Sequence, residues 1–460
     1  MPLRIANAAG FLGDNLDAPR LTVERAEVDY LTLEYLAELT MSILARQREK
    51  NPRLGYAEDF LTVLVSLVPA LTRQPRLRIV TNAGGVNPLA CAHAAGAVLV
   101  SSGLSSRRIG VVTGDDLLPR LFELRDAGCR FVHLDTGEPL ADLAQPIVCA
   151  NAYLGARPIA DALAAGAELV ITGRVADASL AVGPAADHFD WTWDDWNTVA
   201  GASVAGHLIE CGAQVSGGLH HDWQALNLAD VGYPIAELER DGSCVITKPA
   251  DSGGAVNRRT VAEQLVYEIG DPAHYLTPDV DVDFTTIELA ETGDNRVAVR
   301  GATGRPPPDQ YKVSLAYHDG YMASGQLLIY GNDCVSKAHA CGEMIRRRLA
   351  RTGLEFAGWH VECLGAGQAV PGLHAAPDGV REVMLRVTAR DSRREPLERF
   401  TKEFAPLITS GPPGIAGYAT GRPQVRPVFA YWPTLVPREV IDTQVEVRTA
   451  REWMAEKESP

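Results

Sequence analysis

The sequence predicts an α/β protein in which a mostly parallel sheet with helical crossovers is followed by an α+β second domain. In the first half, short apolar strands, turns rich in Gly, Asn and Asp, and Ala-rich helices alternate. This pattern is typical of parallel strands joined by helices. After about residue 240 longer strands replace it, so we expect an α/β domain at 1–240 and an α+β domain at 241–447. Residues 448–460 are rich in charge and are expected to form a frayed tail.

The expected strands of the first half are short, aliphatic or β-branched, and each is followed by a turn. They run near 4–8, 28–33, 77–81, 108–113, 131–134, 146–150 and 168–172. Between the last two, Pro158 opens a run of good helix formers and Gly166 stops it. Ligands of open parallel sheets bind at the carboxyl ends of the strands, so the turns after these strands are the expected location of the site.

The second half has the pattern of an α+β domain. Helices are expected near 260–269, 335–351 and 396–405, and strands near 280–289, 296–301 and 380–390. Two further strands, 312–317 and 322–330, flank His318-Asp319-Gly320. Asp-Gly between two such runs predicts a hairpin.

Charge and composition limit the function classes. The 460 residues contain 43 Lys and Arg against 58 Asp and Glu, a formal net charge of −15 that disfavours nucleic acid and anionic membrane surfaces as partners. No apolar window reaches the length of a membrane span, and the eight cysteines include no C-x-x-C pair. We therefore expect a cytoplasmic protein, and the Gly-rich edges suggest a homo-oligomer.

Sequence signatures of common cofactors are missing. There is no G-x-x-x-x-G-K-[ST], and Gly365-Ala366-Gly367 is followed by Pro371 where a dinucleotide fold needs a helix. Cys334, His339 and Cys341 do not share one helix face, which argues against a zinc site. The sequence thus predicts neither a bound metal nor a cofactor.

Two turns of the first half carry candidate substrate-binding residues. Asn82, Gly84 and Gly85 lie between a strand and a helix, where backbone N–H groups converge on an anion. The alternative is a tight turn that needs glycine only for its dihedral angles. In the later turns, Asn151 supplies an amide and Arg174 a guanidinium suited to a carboxylate or phosphate.

The segment from 207 to 218 holds the densest group of reactive side chains. His207 and Glu210 are three residues apart, so on a helix they share a face as a candidate acid/base pair. Cys211 is a candidate nucleophile or a packed small side chain. Gly217 and Gly218 could present backbone donors to an oxyanion.

Three other polar groups have competing interpretations. Asp177 is a candidate catalytic carboxylate, or it neutralises Arg174 in a structural ion pair. Glu34 and Glu38 lie at the start of a predicted helix, where carboxylates are favoured by the helix dipole. Ser252 precedes Gly253-Gly254 and belongs either to a further anion site or to a hinge.

Several motifs in this order resemble the acyclic terpene utilisation (AtuA) family over most of the chain, to roughly Val447. The strings are Asn7–Asp14, Asp29–Leu31 with Leu36–Met41, Thr81–Gly85, Gly114–Asp116, Thr172–Asp177 and His207–Gly218. The resemblance implies a place in the breakdown of citronellol- and geraniol-type terpenoids, in a cluster whose other enzymes act on branched acyl-CoA thioesters. Longer members carry a small ferredoxin-like domain beyond this point, which we expect here as a separate small subunit.

These observations lead to a hypothesis of a cofactor-free lyase of the hydratase or dehydratase type, acting on a branched acyl-CoA or a related carboxylic acid. Glu210 or His207 would move the proton, and Arg174 would anchor the substrate. One alternative is a retro-aldol or thioester-cleaving enzyme with Cys211 as nucleophile. A second is a non-catalytic ligand-binding or scaffold subunit of an acyl-CoA pathway complex.

Overall fold

The computed structural model describes residues 1–373, 378–418 and 420–455. Its strands are β1 (Leu3–Asn7), β2 (Tyr30–Leu33), β3 (Arg78–Thr81), β4 (Arg108–Thr113), β5 (Ile147–Ala152), β6 (Leu169–Thr172), β7 (Ile235–Leu238), β8 (Cys244–Thr247), β9 (Tyr275–Leu276), β10 (Asp281–Asp283), β11 (Glu288–Gly293), β12 (Arg296–Arg300), β13 (Thr303–Arg305), β14 (Gln310–Tyr330), β15 (Gly358–Leu364), β16 (Glu382–Asp391), β17 (Ile415–Tyr418), β18 (Val425–Pro437) and β19 (Gln444–Thr449). Its helices are α1 (Ala18–Arg25), α2 (Glu38–Lys50), α3 (Asp59–Arg73), α4 (Pro88–Ser101), α5 (Leu121–Asp126), α6 (Arg157–Ala164), α7 (Ser179–Phe189), α8 (Trp196–Glu210), α9 (Arg258–Leu265), α10 (Cys334–Ala350), α11 (Arg394–Phe400), α12 (Leu407–Ser410) and α13 (Ala450–Ala455).

Unit 1 comprises Met1–Ala316 and the segment that begins at Tyr431. Among its described residues, ten strands form one mixed sheet in the order β11-β12-β8-β7-β1-β2-β3-β6-β4-β19. Neighbouring strands from β1 through β2, β3 and β6 to β4 are parallel, and the outer strands are antiparallel. Leu31, Val80 and Val170 at its centre are completely buried, as expected for parallel strands that are covered on both faces. The predicted α/β class is confirmed.

The boundary expected near residue 240 falls inside this sheet. Strands β7 and β8 continue the sheet from β1, but they run antiparallel to their neighbours. The change of sequence pattern there marks a change of strand direction, because antiparallel neighbours need only short turns instead of helical crossovers.

The expected tail is structured as far as it is described. Strand β19 pairs with β4 at the edge of the sheet, and helix α13 follows it. Trp453 is 1% exposed, and its indole N–H donates to the carbonyl of Ile109 at 3.0 Å. Residues 448–455 are therefore ordered by tertiary packing, and 456–460 lie outside the described residues.

Three local predictions in the chain are wrong. Residues 131–134 contribute only one isolated bridge, and Phe131 has a φ of +48°, which a strand does not accommodate. Strand β5 pairs with β14 and not with the parallel sheet. The expected hairpin at 318–320 is instead part of the continuous strand β14, with Gly320 at a φ of +79°.

Unit 2, Tyr317–Ala430, has its own core. Residues Tyr321–Tyr330 of β14 pair antiparallel with β16, which also pairs with β15. Helices α10 and α11 pack against β16. The core between them includes Leu385, Phe400 and Phe404, all completely buried. Within the described ranges, no helix is both long and apolar enough to cross a membrane.

Candidate active site

Polar side chains stand at the carboxyl ends of four neighbouring strands of the parallel sheet. Asn7 is the last residue of β1, Glu34 follows β2, Asn82 follows β3 and Arg174 lies two residues after β6. Because these strands are parallel, their carboxyl ends meet at one edge of the sheet. The fold therefore gathers an amide-rich and charge-rich group from four separate parts of the chain.

Two cavities of unit 1 lie at this edge, and they share Leu36, Ala37, Asp177 and Glu268. The smaller cavity, of about 450 Å³, is lined by Gly10, Phe11, Asp14, Glu34, Leu36, Ala37, Asp177, Glu210, Cys211, Ala213, Gln214, Gly218, Leu219, Tyr233, Tyr267 and Glu268. The larger cavity, of about 930 Å³, is lined by Leu36, Ala37, Glu38, Tyr153, Arg174, Ala176, Asp177, Glu268, Tyr275, Leu276, Thr277, Pro278, Pro308, Asp309, Gln310, Lys312, Leu435, Pro437 and Glu439. Both volumes are in the range of small-molecule sites.

The smaller cavity is strongly acidic. Its lining holds five carboxyl groups and, among the described residues, neither lysine nor arginine. Burial and nearby carboxylates raise the pKa values of Glu34, Asp177 and Glu210. In the described ranges, no cluster of three or more His, Cys, Asp or Glu side chains is arranged so that it could hold a metal ion.

Glu34, which is 3% exposed, is one of the residues that line this cavity. Its Oε1 atom accepts hydrogen bonds from the Leu36 N–H at 2.8 Å and from the Asn82 side-chain amide. Burial and then the charge of Asp177 raise the pKa of Glu34 well above its ordinary value. Glu34 lies outside helix α2, so the expected role at a helix N-terminus does not apply to it.

Arg174 is almost completely buried, with 3% of its surface exposed. Its Nη1 atom lies 2.9 Å from Asp177 Oδ1 and donates to the Leu36 carbonyl at 2.9 Å. The guanidinium also lies 4.2 Å from the ring centroid of Tyr153. Its charge is therefore already neutralised, which supports the ion-pair interpretation and makes Arg174 a poor free anchor for an anion.

Asp177 belongs to both cavities, and 36% of its side chain is exposed. Removal from water raises its pKa, and the charge of Arg174 opposes that rise. Of the sequence-predicted catalytic residues, Asp177, Glu210 and Cys211 are brought together around the smaller cavity.

Glu210 is the last residue of α8, and the imidazole of His207 contacts its carboxyl group. His207 Nε2 lies 3.0 Å from the Gln264 carbonyl, so Nε2 carries a proton, and Nδ1 faces Glu210 Oε1 at 3.2 Å. A hydrogen bond at that contact needs a proton on one of the two atoms. His207 is 1% exposed and lines neither cavity. It positions Glu210 and does not itself reach the cavity.

The pKa values of this pair move in the same direction. Burial raises the pKa of Glu210, while its hydrogen bond to His207 opposes the rise. Burial lowers the pKa of His207, but the hydrogen bond and charge of Glu210 outweigh it, so the His207 pKa is raised. The pair therefore binds a proton more tightly than two isolated side chains would.

Cys211 lines the smaller cavity, but its environment disfavours the thiolate. Burial and then the charge of Glu210 raise the pKa of the Cys211 thiol to about 12. A nucleophilic cysteine needs the opposite shift. The geometry therefore favours the packing interpretation of Cys211.

The turn at 81–88 is a structural element. Asn82 uses its side-chain oxygen to accept the Tyr35 N–H at 2.8 Å and its amide to bind Glu34. A Cβ atom at Gly84 would collide with the Thr172 carbonyl, and Gly85 has a φ of +54° and donates its N–H to the Asn82 carbonyl. The tight-turn alternative explains these glycines, and none of the three residues lines the two cavities.

The other predicted binding groups also donate hydrogen bonds within the fold. The Asn151 amide donates to Asp115 at 2.8 Å, and Ser252 Oγ donates to the Pro249 carbonyl at 2.5 Å, away from both cavities. Gly217 and Gly218 donate their N–H groups to carbonyls of their own turn. Only Gly218 lines the smaller cavity, and these N–H groups are not available to an oxyanion.

Sequence reasoning missed three residues of the site region, which are Asn7, Tyr153 and Lys312. Asn7 donates from its amide to the carbonyls of Ile209 and Glu210, which fixes the end of α8. Tyr153 donates to Glu38 at 2.5 Å, and Lys312 lies 3.6 Å from the same carboxylate. A polar residue at the carboxyl end of a parallel strand was the available signal for Asn7. Lys312 comes from a strand distant in sequence and carried no such signal.

The fold and the cavities define an α/β protein with a carboxylate-lined cavity at the carboxyl edge of a parallel sheet. The family described as acyclic terpene utilisation family protein AtuA matches residues 3–447. The chain belongs to this family. No curated protein and no solved structure matches the chain.

Proposed function

We propose that this protein is a lyase of the hydratase or dehydratase type that acts on a branched acyl-CoA or a related carboxylic acid derivative. The observation that carries the proposal is Glu210. This carboxyl group lines the smaller cavity, and its Oε2 atom is buried without a hydrogen-bond partner among the described residues. Its other oxygen is held by His207. An oriented carboxylate with one free oxygen suits removal of a proton next to a carbonyl group.

The supporting histidine can hold Glu210 in place in both directions of proton transfer. When Glu210 accepts a substrate proton, the negative charge beside His207 disappears, and when it releases the proton the charge returns. His207 is fixed by the Gln264 carbonyl and by contacts with the rings of Tyr275 and Phe284. The pair can therefore exchange a proton with substrate while the imidazole stays in place.

The charge of the cavities indicates which part of a substrate enters them. A free carboxylate or phosphate would be repelled by the acidic lining of the smaller cavity, whereas a thioester carbonyl is uncharged. Lys312 and Arg174 are the cations of the larger cavity, against five carboxyl groups. We therefore propose that the acyl end of a thioester reaches the carboxyl groups and that its anionic carrier lies outside. The family's link with acyclic terpene utilisation favours a branched acyl chain.

The two alternatives gain less support. Thioester cleavage by Cys211 needs a thiolate, and the pKa of this thiol is raised. A non-catalytic ligand-binding subunit would need the cavities but not the Glu210–His207 pair. The proposed proton-transfer residues belong to this chain. We therefore propose that neither a small ferredoxin-like subunit nor a second copy of the chain supplies them.

Exchange of substrate protons with deuterated water tests the proposal. The protein is incubated with isovaleryl-CoA and with a longer branched homologue, and uptake of deuterium next to the thioester is followed by mass spectrometry. We expect exchange by the native protein and by Glu263→Gln, whose carboxylate pairs with His220 and lines neither cavity. Glu210→Gln should abolish it. Thermal stabilisation by these thioesters without exchange would support the ligand-binding alternative and contradict the lyase.

A further inference from the structure

Glu34 is held in a manner that leaves one defined oxygen without a hydrogen-bond partner among the described residues. Two donors, the Leu36 N–H and the Asn82 amide, bind Oε1, and Oε2 is buried without a partner among the described residues. A proton on the carboxyl group is therefore favoured on Oε2, because Oε1 already accepts two hydrogen bonds. Glu34 lines the same cavity as Glu210.

Arg174 lies near Glu34 but does not form a close ion pair with it. The guanidinium Nη1 lies 3.8 Å from Glu34 Oε1 but 2.9 Å from Asp177 Oδ1 and 2.9 Å from the Leu36 carbonyl. Nη1 donates a hydrogen bond to the Leu36 carbonyl, and its closest ion-pair contact is with Asp177. Glu34 thus remains a buried carboxyl group whose ionisation is opposed both by burial and by Asp177.

Glu34 and Glu210 occupy different environments around one cavity. Glu210 has a histidine beside it that stabilises the carboxylate, whereas Glu34 is held by neutral amide donors and faces the charge of Asp177. Unequal environments of two carboxyl groups separate an acid from a base in one site. The arrangement therefore suits a reaction that needs both at once.

We propose that Glu34 is the general acid of this site and that the substrate is a β-hydroxyacyl thioester, which rests on the lyase activity proposed above. Glu210, as carboxylate, removes the proton from the carbon next to the thioester carbonyl and leaves an enolate. The enolate electrons then form the carbon–carbon double bond as the β carbon–oxygen bond breaks. Oε2 of Glu34 gives its proton to the departing hydroxyl, so the products are an unsaturated thioester and water. Glu210 is left protonated and Glu34 ionised.

The resting state returns by one net proton transfer. Glu210 loses the proton that it took, and Glu34 regains one, through the water that fills the cavity after release of product. The reverse sequence adds water to an unsaturated thioester. Asn82 is then a positioning residue, because it orients Glu34 through Oε1 and does not touch the reacting atoms.

Two partial reactions separate this role from that of Glu210. Deuterium exchange on isovaleryl-CoA, which has no leaving hydroxyl, needs only the base. Loss of water from β-hydroxyisovaleryl-CoA needs the base and the acid. We expect Glu210→Gln to lose both reactions, and Glu34→Gln to keep exchange within about threefold while its water loss falls by about a hundredfold or more. The glutamine oxygen of Glu34→Gln can still accept both donors, so this variant should fold.

The Asn82→Ala variant provides a second measurement. Removal of the Asn82 donor removes a group that stabilises ionised Glu34, so the pKa of Glu34 rises further. We expect the alkaline limb of the water-loss rate profile to move up by about half a pH unit or more, while the exchange profile stays in place. A merely structural role of Asn82 would not move one limb alone.

Each outcome has a defined meaning. If Glu34→Gln loses both reactions or neither, Glu34 is not the general acid, although exchange by the native protein would still support the lyase. If the native protein shows exchange but no water loss from the hydroxyacyl thioester or its longer homologue, the assignment of Glu34 is also overturned. If it shows neither reaction, the lyase and the role of Glu34 both fail.

Discussion

The carboxyl group of Asp279 in unit 1 differs from those of Glu34 and Glu210 in how its oxygen atoms are used. Asp279 accepts the Ala156 N–H on both oxygens, at 2.8 and 3.0 Å, and the Ser179 hydroxyl at 2.8 Å. Glu34 and Glu210 each keep one buried oxygen without a partner, and both line the smaller cavity. Burial raises the pKa of all three. A raised pKa is therefore common to all three, whereas a buried oxygen without a hydrogen-bond partner, in a residue that lines the smaller cavity, distinguishes Glu34 and Glu210 from Asp279.

A buried oxygen without a hydrogen-bond partner lowers the stability of the folded protein. Such atoms are therefore rare where a residue has a structural role only. Asp279 avoids this loss of stability because both of its oxygens accept hydrogen bonds, which fix the start of α6. Glu34 and Glu210 each leave one oxygen without such a partner among the described residues. We therefore expect substitution of Glu34 or Glu210 to affect turnover and substitution of Asp279 to affect stability.

The largest effect is expected for Glu210→Gln. Deuterium exchange should fall by at least about a hundredfold because the amide is not a base. The free energy of unfolding, measured by urea titration, should fall by less than about 1 kcal/mol or rise, since a buried charge is removed. A large loss of stability with normal exchange in the folded fraction would place Glu210 among the structural carboxyl groups. Glu263→Gln serves as the control.

The second effect concerns Asp279→Ala. This change leaves the Ala156 N–H and the Ser179 hydroxyl without their acceptor, so the free energy of unfolding should fall by about 1–3 kcal/mol. Exchange per folded molecule should stay within about threefold. Asp251→Ala, at an exposed position, is the matched control and should change neither quantity. Normal stability of Asp279→Ala would show that the hydrogen bonds of Asp279 do not stabilise the fold.

A third effect follows from Asp115, which accepts hydrogen bonds from the Asn151 amide and the Arg174 N–H. Burial raises its pKa from 3.8 to about 7. The folded state then binds a proton that the unfolded state has released, so stability falls as pH rises through this window. Asp115→Asn should reduce that fall by on the order of 1–3 kcal/mol, measured by urea titration at several pH values. An unchanged slope would show that Asp115 ionises normally in the folded protein.

The smallest effect is expected for Cys211→Ser. The thiol stays protonated near neutral pH because its pKa is about 12, so exchange and water loss should both remain within about threefold. Cys129→Ser, outside both cavities, is the control. A loss of activity confined to Cys211→Ser would restore the nucleophilic alternative.

The sequence by itself determined the class of the fold and much of its local structure. Alternating apolar strands and helices led to the parallel sheet, because strand and helix periodicities are local properties of the chain. The turns after β3 and β6, and the pairing of His207 with Glu210 on one helix face, were likewise predictable from spacing. The strand expected at 131–134 and the hairpin at 318–320 failed because their conformations depend on neighbours distant in sequence.

Tertiary structure alone decided which of the candidate residues face a cavity. Asn82, Gly84, Gly85 and Asn151 have the chemistry of a binding site, yet none of them lines either of the two cavities. Glu34 resembled a helix-capping carboxylate in the sequence and is a buried acid with a free oxygen in the structure. The strand order β1-β2-β3-β6 brings such residues to one edge. Pairing of strands far apart in the chain sets that order, and local periodicity carries no information about it.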